Sequence, residues 1–382
     1  MPVSFALELY RNIQFQNSIA NGIYLNHAAV SPSARRVVDA VTEAITFSSL
    51  DPEACFMEKF FPAWIGARKR LAALMGVPDQ DLAFTRNTGH ALSIVADGLI
   101  LEPGDNVVMA SCEYPAVTYP WMAQAWRGVE TRLVAPNADG TLSPELFSAS
   151  MDSRTRVIAL SWVQFTTGYR ANLAEFVKLA KAHDAILIVD AIQGLGALPL
   201  NAGELDIDIV ATGSHKWLMG PHGCGGLYIK PSLLDRIHLV NMGAVSVVNV
   251  TDFDGTRFEP KPNAQRYEEG SPNGLGLVGL DAALSLLEEA GIENIAESVL
   301  SNSKHAAEAV ANRGYVLDSP TDDAARSGIV MFHHPTRPGQ EVVEALKAAR
   351  ISASLRAGLV RFSPHFYNTH EDIDAAVAAL PA

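Results

Sequence analysis

Two runs of nearly unbroken apolar residues, VIALSW at 157–162 and AILIV at 185–189, constrain the fold of this chain more than anything else in it. A strand with one wet face alternates polar and apolar residues. A run without alternation is covered on both faces, as in a parallel sheet held between helices. Between the two runs, residues 173–183 put Phe176, Leu179 and Ala180 at helical spacing, which supplies the crossover that a parallel pair requires. Short runs at 82–85, 106–111, 130–134, 207–211 and 226–230 continue the alternation of strand and helix. The expectation is an α/β fold with right-handed connections and a mostly parallel, seven-stranded sheet. This large domain is predicted over residues 31–265. From residue 266 the elements shorten: helices at 280–290 and 341–349, an amphipathic run at 303–312, strands at 328–332 and 358–362, and a helix after Glu371. They predict a smaller α+β domain over 266–382. Residues 1–30 lack a long periodic stretch and are expected to pack on that small domain.

Composition closes off several functions. The 382 residues are 48% hydrophobic and carry a formal net charge of −13, so no basic surface is expected for nucleic acid or for an anionic membrane. No apolar run approaches the roughly 18 residues of a membrane span, and the start MPVSFALELYRNIQFQ does not read as a secretory signal. Three scattered cysteines, Cys55, Cys112 and Cys224, are too few for a disulfide framework or a zinc cluster and point to a cytoplasmic location.

The chemistry concentrates in AILIVDAIQGLGALPLNAGELDIDIVATGSHKWLMGPHGCGGLY, residues 185–228. Asp190 ends one buried strand, and Lys216 follows a neighbouring one. Open α/β sheets bind ligands at the carboxyl ends of their strands, so both residues are placed at one edge. An amine and an acid meeting there suit a Schiff base to an aldehyde cofactor, with the carboxylate keeping a pyridine nitrogen protonated. Residues 84–91, FTRNTGHA, place Thr88, Gly89 and His90 at a helix N-terminus, a ready anion site.

These elements, together with YLNHAA at 24–29, RYEEGSPN at 266–273 and RFSPHFYNT at 361–369, resemble the class V aminotransferases. That family of fold-type I pyridoxal 5′-phosphate (PLP) enzymes includes cysteine desulfurases, isopenicillin N epimerase-like proteins and kynureninases. The resemblance runs almost end to end. It implies Lys216 as the Schiff-base lysine, Asp190 as the partner of the pyridine nitrogen and Gln193 beside the phenolic oxygen. Thr88, Gly89 and His90 would cup the phosphate, with hydrogen bonds added by Ser214 and His215. Tyr114 would stack on the ring and Gln164 would reach the cofactor or substrate. Arg361 matches the arginine that grips an α-carboxylate, and Arg356 on the preceding loop is a weaker candidate. Ser271 matches a hydroxyl that reaches the phosphate of the other subunit, which implies a homodimer.

Two departures from the family matter. The hydroxyl of Ser214 stands two residues before the lysine, where desulfurases often have it three before. Residues 351–360, ISASLRAGLV, contain no cysteine to accept sulfur as a persulfide. A Cys-independent C–S lyase, an aminotransferase and an epimerase therefore stay open, all acting on an amino acid. Rival classes fare worse. Gly194-Leu195-Gly196 does not complete a dinucleotide-binding turn, Ser214 is not framed as a hydrolase nucleophile, and no histidine set reads as a metal site. A non-catalytic binding protein would have no need of Lys216, Asp190 and Arg361 together.

Overall fold

Successive side chains of a strand point to opposite faces, and here both faces are buried. Val157, Ala159, Ile186 and Ile188 enter one apolar core, while Ile158, Leu160, Leu187 and Val189 enter the other. The computed structural model, which describes residues 3–252, 255 and 257–382, orders seven strands as Leu82–Thr85, Gly225–Ile229, Ile209–Gly213, Ile186–Asp190, Thr155–Ser161, Asn106–Ala110 and Glu130–Val134. Gly225–Ile229 runs antiparallel to both neighbours, and the other pairings are parallel. Each strand coincides with an expected run, displaced at its ends by at most two residues. The fold is the mostly parallel α/β architecture that the apolar runs require.

Helices cover both faces. Thr88–Gly98 and Pro115–Met122 put Leu92, Val95, Val117 and Trp121 into one core. Phe61–Met75, Leu173–Ala182 and Gly274–Ala290 put Leu71, Phe176, Leu280 and Leu284 into the other. Gly274–Ala290 thus belongs to the sandwich, although it lies beyond residue 265. Asp281 and Glu289 tie it to Arg70 and Arg36 of the helices beside it.

The smaller unit has a four-stranded antiparallel sheet, ordered Ser354–Arg356, Leu359–Phe362, Val330–His333 and Val316–Leu317. Helices Ile292–Asn312, Gly339–Ala348 and His370–Ala378 add Val310, Leu346 and Ile373 to its core. Leu25 enters the same core, and Ile23–Tyr24 pairs parallel with Ile351–Ser352. Although no long periodic stretch is expected there, the N-terminal residues form an amphipathic helix, Val3–Gln14, with Tyr10 packed against the core. Polar contacts also hold it: Arg11 donates to both oxygens of Asp372, at 2.6 and 2.8 Å. Just beyond the helix, Phe15 stacks on Tyr367 at 3.8 Å.

Two buried histidines join the units behind the sheet edge. His365 Nε2 meets the Trp217 carbonyl at 3.1 Å, and its Nδ1 accepts the Phe366 N–H at 2.8 Å. His27 lies between the Ser363 carbonyl and the Tyr367 hydroxyl, each at 2.9 Å. Both rings have their partners when neutral, so burial pushes His365 down from 6.5 to about 4 and His27 well below its ordinary range. Because the unfolded chain binds these protons more readily, the stabilisation is complete above pH 6.5 and lost as pH falls toward 4. For His365 alone that is roughly 3 kcal/mol. Denaturant midpoints at pH 7, 5.5 and 4.5 should fall accordingly, and a His365→Asn variant should show a shallower decline.

Candidate active site

The carboxyl end of the sheet opens into a cavity of about 280 Å³. Thr88, Gly89, Tyr114, Asp190, Gln193, His215, Lys216 and Arg361 all line it. Residues up to 273 positions apart in the chain therefore meet in one place.

Asp190 is the last residue of its strand and is buried. Its Oδ1 accepts the Ile192 N–H at 2.9 Å. Burial raises the carboxyl to about 6, against the opposing pulls of that hydrogen bond and of Lys216. Lys216 stands three residues beyond Ile209–Gly213 in a loop pinned from several sides. Ser31 donates from its N–H to the His215 carbonyl at 2.8 Å and from its Oγ to the Lys216 carbonyl at 2.6 Å. Gly196, at φ +95°, lets the loop close in, since a Cβ there would stand 2.4 Å from the Trp217 oxygen. This close approach is the use the chain makes of Gly194-Leu195-Gly196. Burial brings the Lys216 amine down to about 8, with Arg361 and Arg356 lowering it further and Asp190 opposing them. Its Nζ lies 5.6 Å from the centre of the Tyr114 ring, which is partly open and meets Phe165 edge-on at 5.2 Å.

At the far side, helix Thr88–Gly98 aims its N-terminus at the cavity. Asn87 caps it, accepting the His90 N–H at 2.8 Å. That cap removes the His90 amide from the predicted anion cup, leaving the first-turn amides of Thr88 and Gly89. The Thr88 Oγ1 is buried without a hydrogen-bond partner. At the opposite wall Arg361 is buried, donating from Nε to Ser354 Oγ at 3.2 Å and from Nη1 to the Phe165 carbonyl at 3.3 Å, while Nη2 has no partner. Burial, then Arg356, lowers its guanidinium to about 9.

Other expected residues are placed differently. Ser214 does not line the cavity; its Oγ donates to the carbonyls of Pro221 and Cys224. Gln164 is fully buried, with Nε2 donating to Glu113 Oε1 at 2.6 Å. Gln193 lines the cavity, but its amide also holds the Ala28 carbonyl and the Trp217 indole N–H, each at 3.0 Å. Ser271 and the His90 side chain line a neighbouring cavity of about 260 Å³.

Two residues, Phe165 and Glu113, have no clear signal in the sequence, and Arg356 is only the weaker arginine candidate there. Phe165 lines the cavity and holds Arg361 through its carbonyl. Arg356 also lines it. Glu113 is buried beneath it, receiving hydrogen bonds from the Ser161 N–H and hydroxyl and from Gln164, and burial raises its carboxyl to about 7.

An unpartnered Thr88 hydroxyl beside two free amides suits a phosphate. A buried acid across from a lysine suits a protonated ring nitrogen beside an aldehyde. The residues present therefore fit PLP.

Comparison with known proteins agrees. The sequence matches the family Aminotransferase class-V over residues 23–376. A cysteine desulfurase of Escherichia coli (strain K12 / DH10B) is 30% identical over 390 residues, which span 94% of this chain and 92% of that protein. The apo cysteine desulfurase of Thermococcus onnurineus NA1 superposes with a TM-score of 0.86 at 25% identity, over 97% of this chain and 96% of that one. The cystine C–S lyase C-DES, solved with cysteine persulfide, shares the fold at 24% identity and a TM-score of 0.87, over 95% and 98% of the two chains. With a family match from residue 23 to residue 376 and a relative of nearly equal length, this chain belongs to the aminotransferase class V family of PLP-dependent enzymes.

Proposed function

We propose that the protein acts on an amino acid as a C–S lyase that uses no protein persulfide. The observation that carries the amino-acid reading is Arg361: a buried guanidinium with a free Nη2 in the cavity that holds Lys216 and Asp190. A planar guanidinium takes a carboxylate two-pronged, and it leaves the α-amine turned toward Lys216. Thr88, Gly89 and His215 would hold the cofactor phosphate, Asp190 the ring nitrogen, Gln193 the phenolic oxygen and Tyr114 the ring face. When bound, PLP supplies an electron-accepting ring that acidifies the Cα–H bond. Lys216 Nζ then takes the Cα proton, since an amine brought down to about 8 has roughly one-tenth of its population neutral at pH 7, far more than an ordinary lysine. The edge-on contact with Phe165 helps set the tilt of the Tyr114 ring at the cavity wall.

The sulfur step is argued from the relatives and from the hairpin. The chain resembles cysteine desulfurases, yet Ser354–Arg356 and Leu359–Phe362 are joined by Ala357-Gly358 alone. No cysteine stands there. Cys112, in the strand-end turn before Tyr114, points its Sγ to Gln164 Oε1 at 3.6 Å, and burial pushes its thiol up to about 11. A thiol so rarely ionised is a poor nucleophile. Cys112→Ser should therefore retain turnover within about twofold; a loss of tenfold or more would make this cysteine a sulfur acceptor.

The enzyme is further proposed to act as a cytoplasmic homodimer. Ser271 is exposed and stands outside its own chain's Lys216 cavity, so a partner's phosphate site is where it would serve. The direct test of the whole reading is borohydride reduction followed by peptide mapping, with a pyridoxyl group expected on Lys216. An amino-acid panel read together for sulfide, oxo acid and inverted stereochemistry separates lyase, aminotransferase and epimerase. Sulfide from cysteine or cystine supports the lyase, and oxo acid without sulfide would assign an aminotransferase.

A further inference from the structure

The hairpin that carries Arg361 carries a second guanidinium on the same face. Ser354↔Arg361, Leu355↔Val360 and Arg356↔Leu359 are opposite one another in its register. Since side chains alternate, Val360 and Phe362 enter the small core, while Ser354, Arg356 and Arg361 share the other face. The connecting turn is held tight: Ala357 has φ 50° and Gly358 φ 85°, the double left-handed pattern of a two-residue hairpin. Arg356 and Arg361 are therefore diagonal neighbours, with Cα atoms about 7–8 Å apart in such a pair. Both line the cavity.

Among the described residues, nothing neutralises them there. Among the described residues that line the cavity, Asp190 is the only carboxylate, and its place beside Lys216 assigns it to the ring nitrogen. Arg356 donates only to the carbonyl of its own neighbour, Leu355, at 2.8 Å, and is otherwise exposed at the cavity mouth. Two like charges on adjacent strands repel unless an anion sits between them. One α-carboxylate satisfies Arg361 and leaves Arg356 free.

We infer that the substrate carries two anionic groups, its α-carboxylate on Arg361 and, beyond the C–S bond to be cleaved, a second acid on Arg356 (a sulfinate, a sulfonate or the distal carboxylate of a disulfide such as cystine). The inference rests on the role of Arg361 proposed above. Bound this way, the substrate is stretched along the hairpin face, and a neutral side chain of equal size leaves Arg356 unpaired. Lys216 and Arg361 both feel Arg356 electrostatically, so its charge acts inside the cavity and not only on the surface.

The test is binding to the holoenzyme, read from the cofactor absorbance on titration with L-aspartate, L-glutamate and L-cysteate, against L-asparagine, L-glutamine and L-alanine. The acids should bind about tenfold more tightly than their amides, the scale of one charge-assisted contact at a partly open site. Added salt should shrink the ratio. Arg356→Gln should bring the ratio to about one, and Arg356→Lys should restore part of it, which a merely structural role would not do. Which acid binds best assigns the anion. Calorimetry with succinate against propionate repeats the comparison without any chemistry at the amine. Equal binding of acids and amides by the wild type, or a preference that survives in Arg356→Gln, overturns the inference. Failure of the PLP reading shows separately, as no pyridoxyl on Lys216, and the succinate comparison can still be made on that protein.

Discussion

Replacing Lys216 with alanine is expected to lower kcat by roughly 10²–10⁴-fold, the usual worth of a positioned acid–base group, beyond what is lost with the covalent hold on the cofactor. The protein should still fold, because Lys216 is half-buried and makes no hydrogen bond through Nζ to the described residues, while its loop is fixed through backbone atoms and Trp217. Succinate binding should persist in the variant, which separates loss of chemistry from loss of structure. The pH dependence follows from the two neighbours. Asp190 must be charged, and burial raises it to about 6; Lys216 must be neutral, and burial lowers it to about 8. Activity should therefore rise as pH climbs from 6 through 8. Asp190 holds the Lys216 value up, so Asp190→Asn should move the upper limb to lower pH even as it weakens turnover. Unchanged turnover in Lys216→Ala would remove this residue from the mechanism.

Arg361→Met is expected to have opposite effects on function and stability. Truncating the buried guanidinium should raise KM for amino acids about 100-fold, with a far smaller change for amines that lack a carboxylate. The same substitution should raise the stability of the substrate-free protein by about 2 kcal/mol. A buried cation with no acid beside it is a burden to the fold, and an apolar side chain of similar length removes it. Its burial-depressed guanidinium and unpartnered Nη2 are the marks of that burden. Parallel measurement of KM and of the denaturant midpoint checks both signs. Lower stability together with an unchanged KM would make Arg361 a structural residue.

Much of the molecule can be read before it folds. The apolar runs at 157–162 and 185–189 locate central strands, because only a sheet covered twice tolerates such runs. Asp190 and Lys216 fall at one edge because each follows a buried parallel strand. Placement at the helix N-terminus also follows from FTRNTGHA. The cap is less legible. Asn87 and Thr88 are both reasonable caps from composition, and only the geometry shows that Asn87 takes the His90 amide. Gln164 likewise reads as a cofactor ligand, but its amide is drawn inward by a buried acid, Glu113, that sits 51 positions away.

The order of residues dictates the layered sheet, the edge at which the lysine and the acid meet, and the lack of a cysteine in residues 351–360. Those follow from local periodicity and residue identity. Only tertiary structure decided which polar groups were left unspent. Ser214 is consumed by carbonyls within its own loop, whereas Thr88 Oγ1 and Arg361 Nη2 find no partner. Only the two-residue turn decided that Arg356 shares a face with Arg361. Hydrogen-bond partners and strand register depend on which distant segments meet, and no stretch of neighbouring residues carries that information.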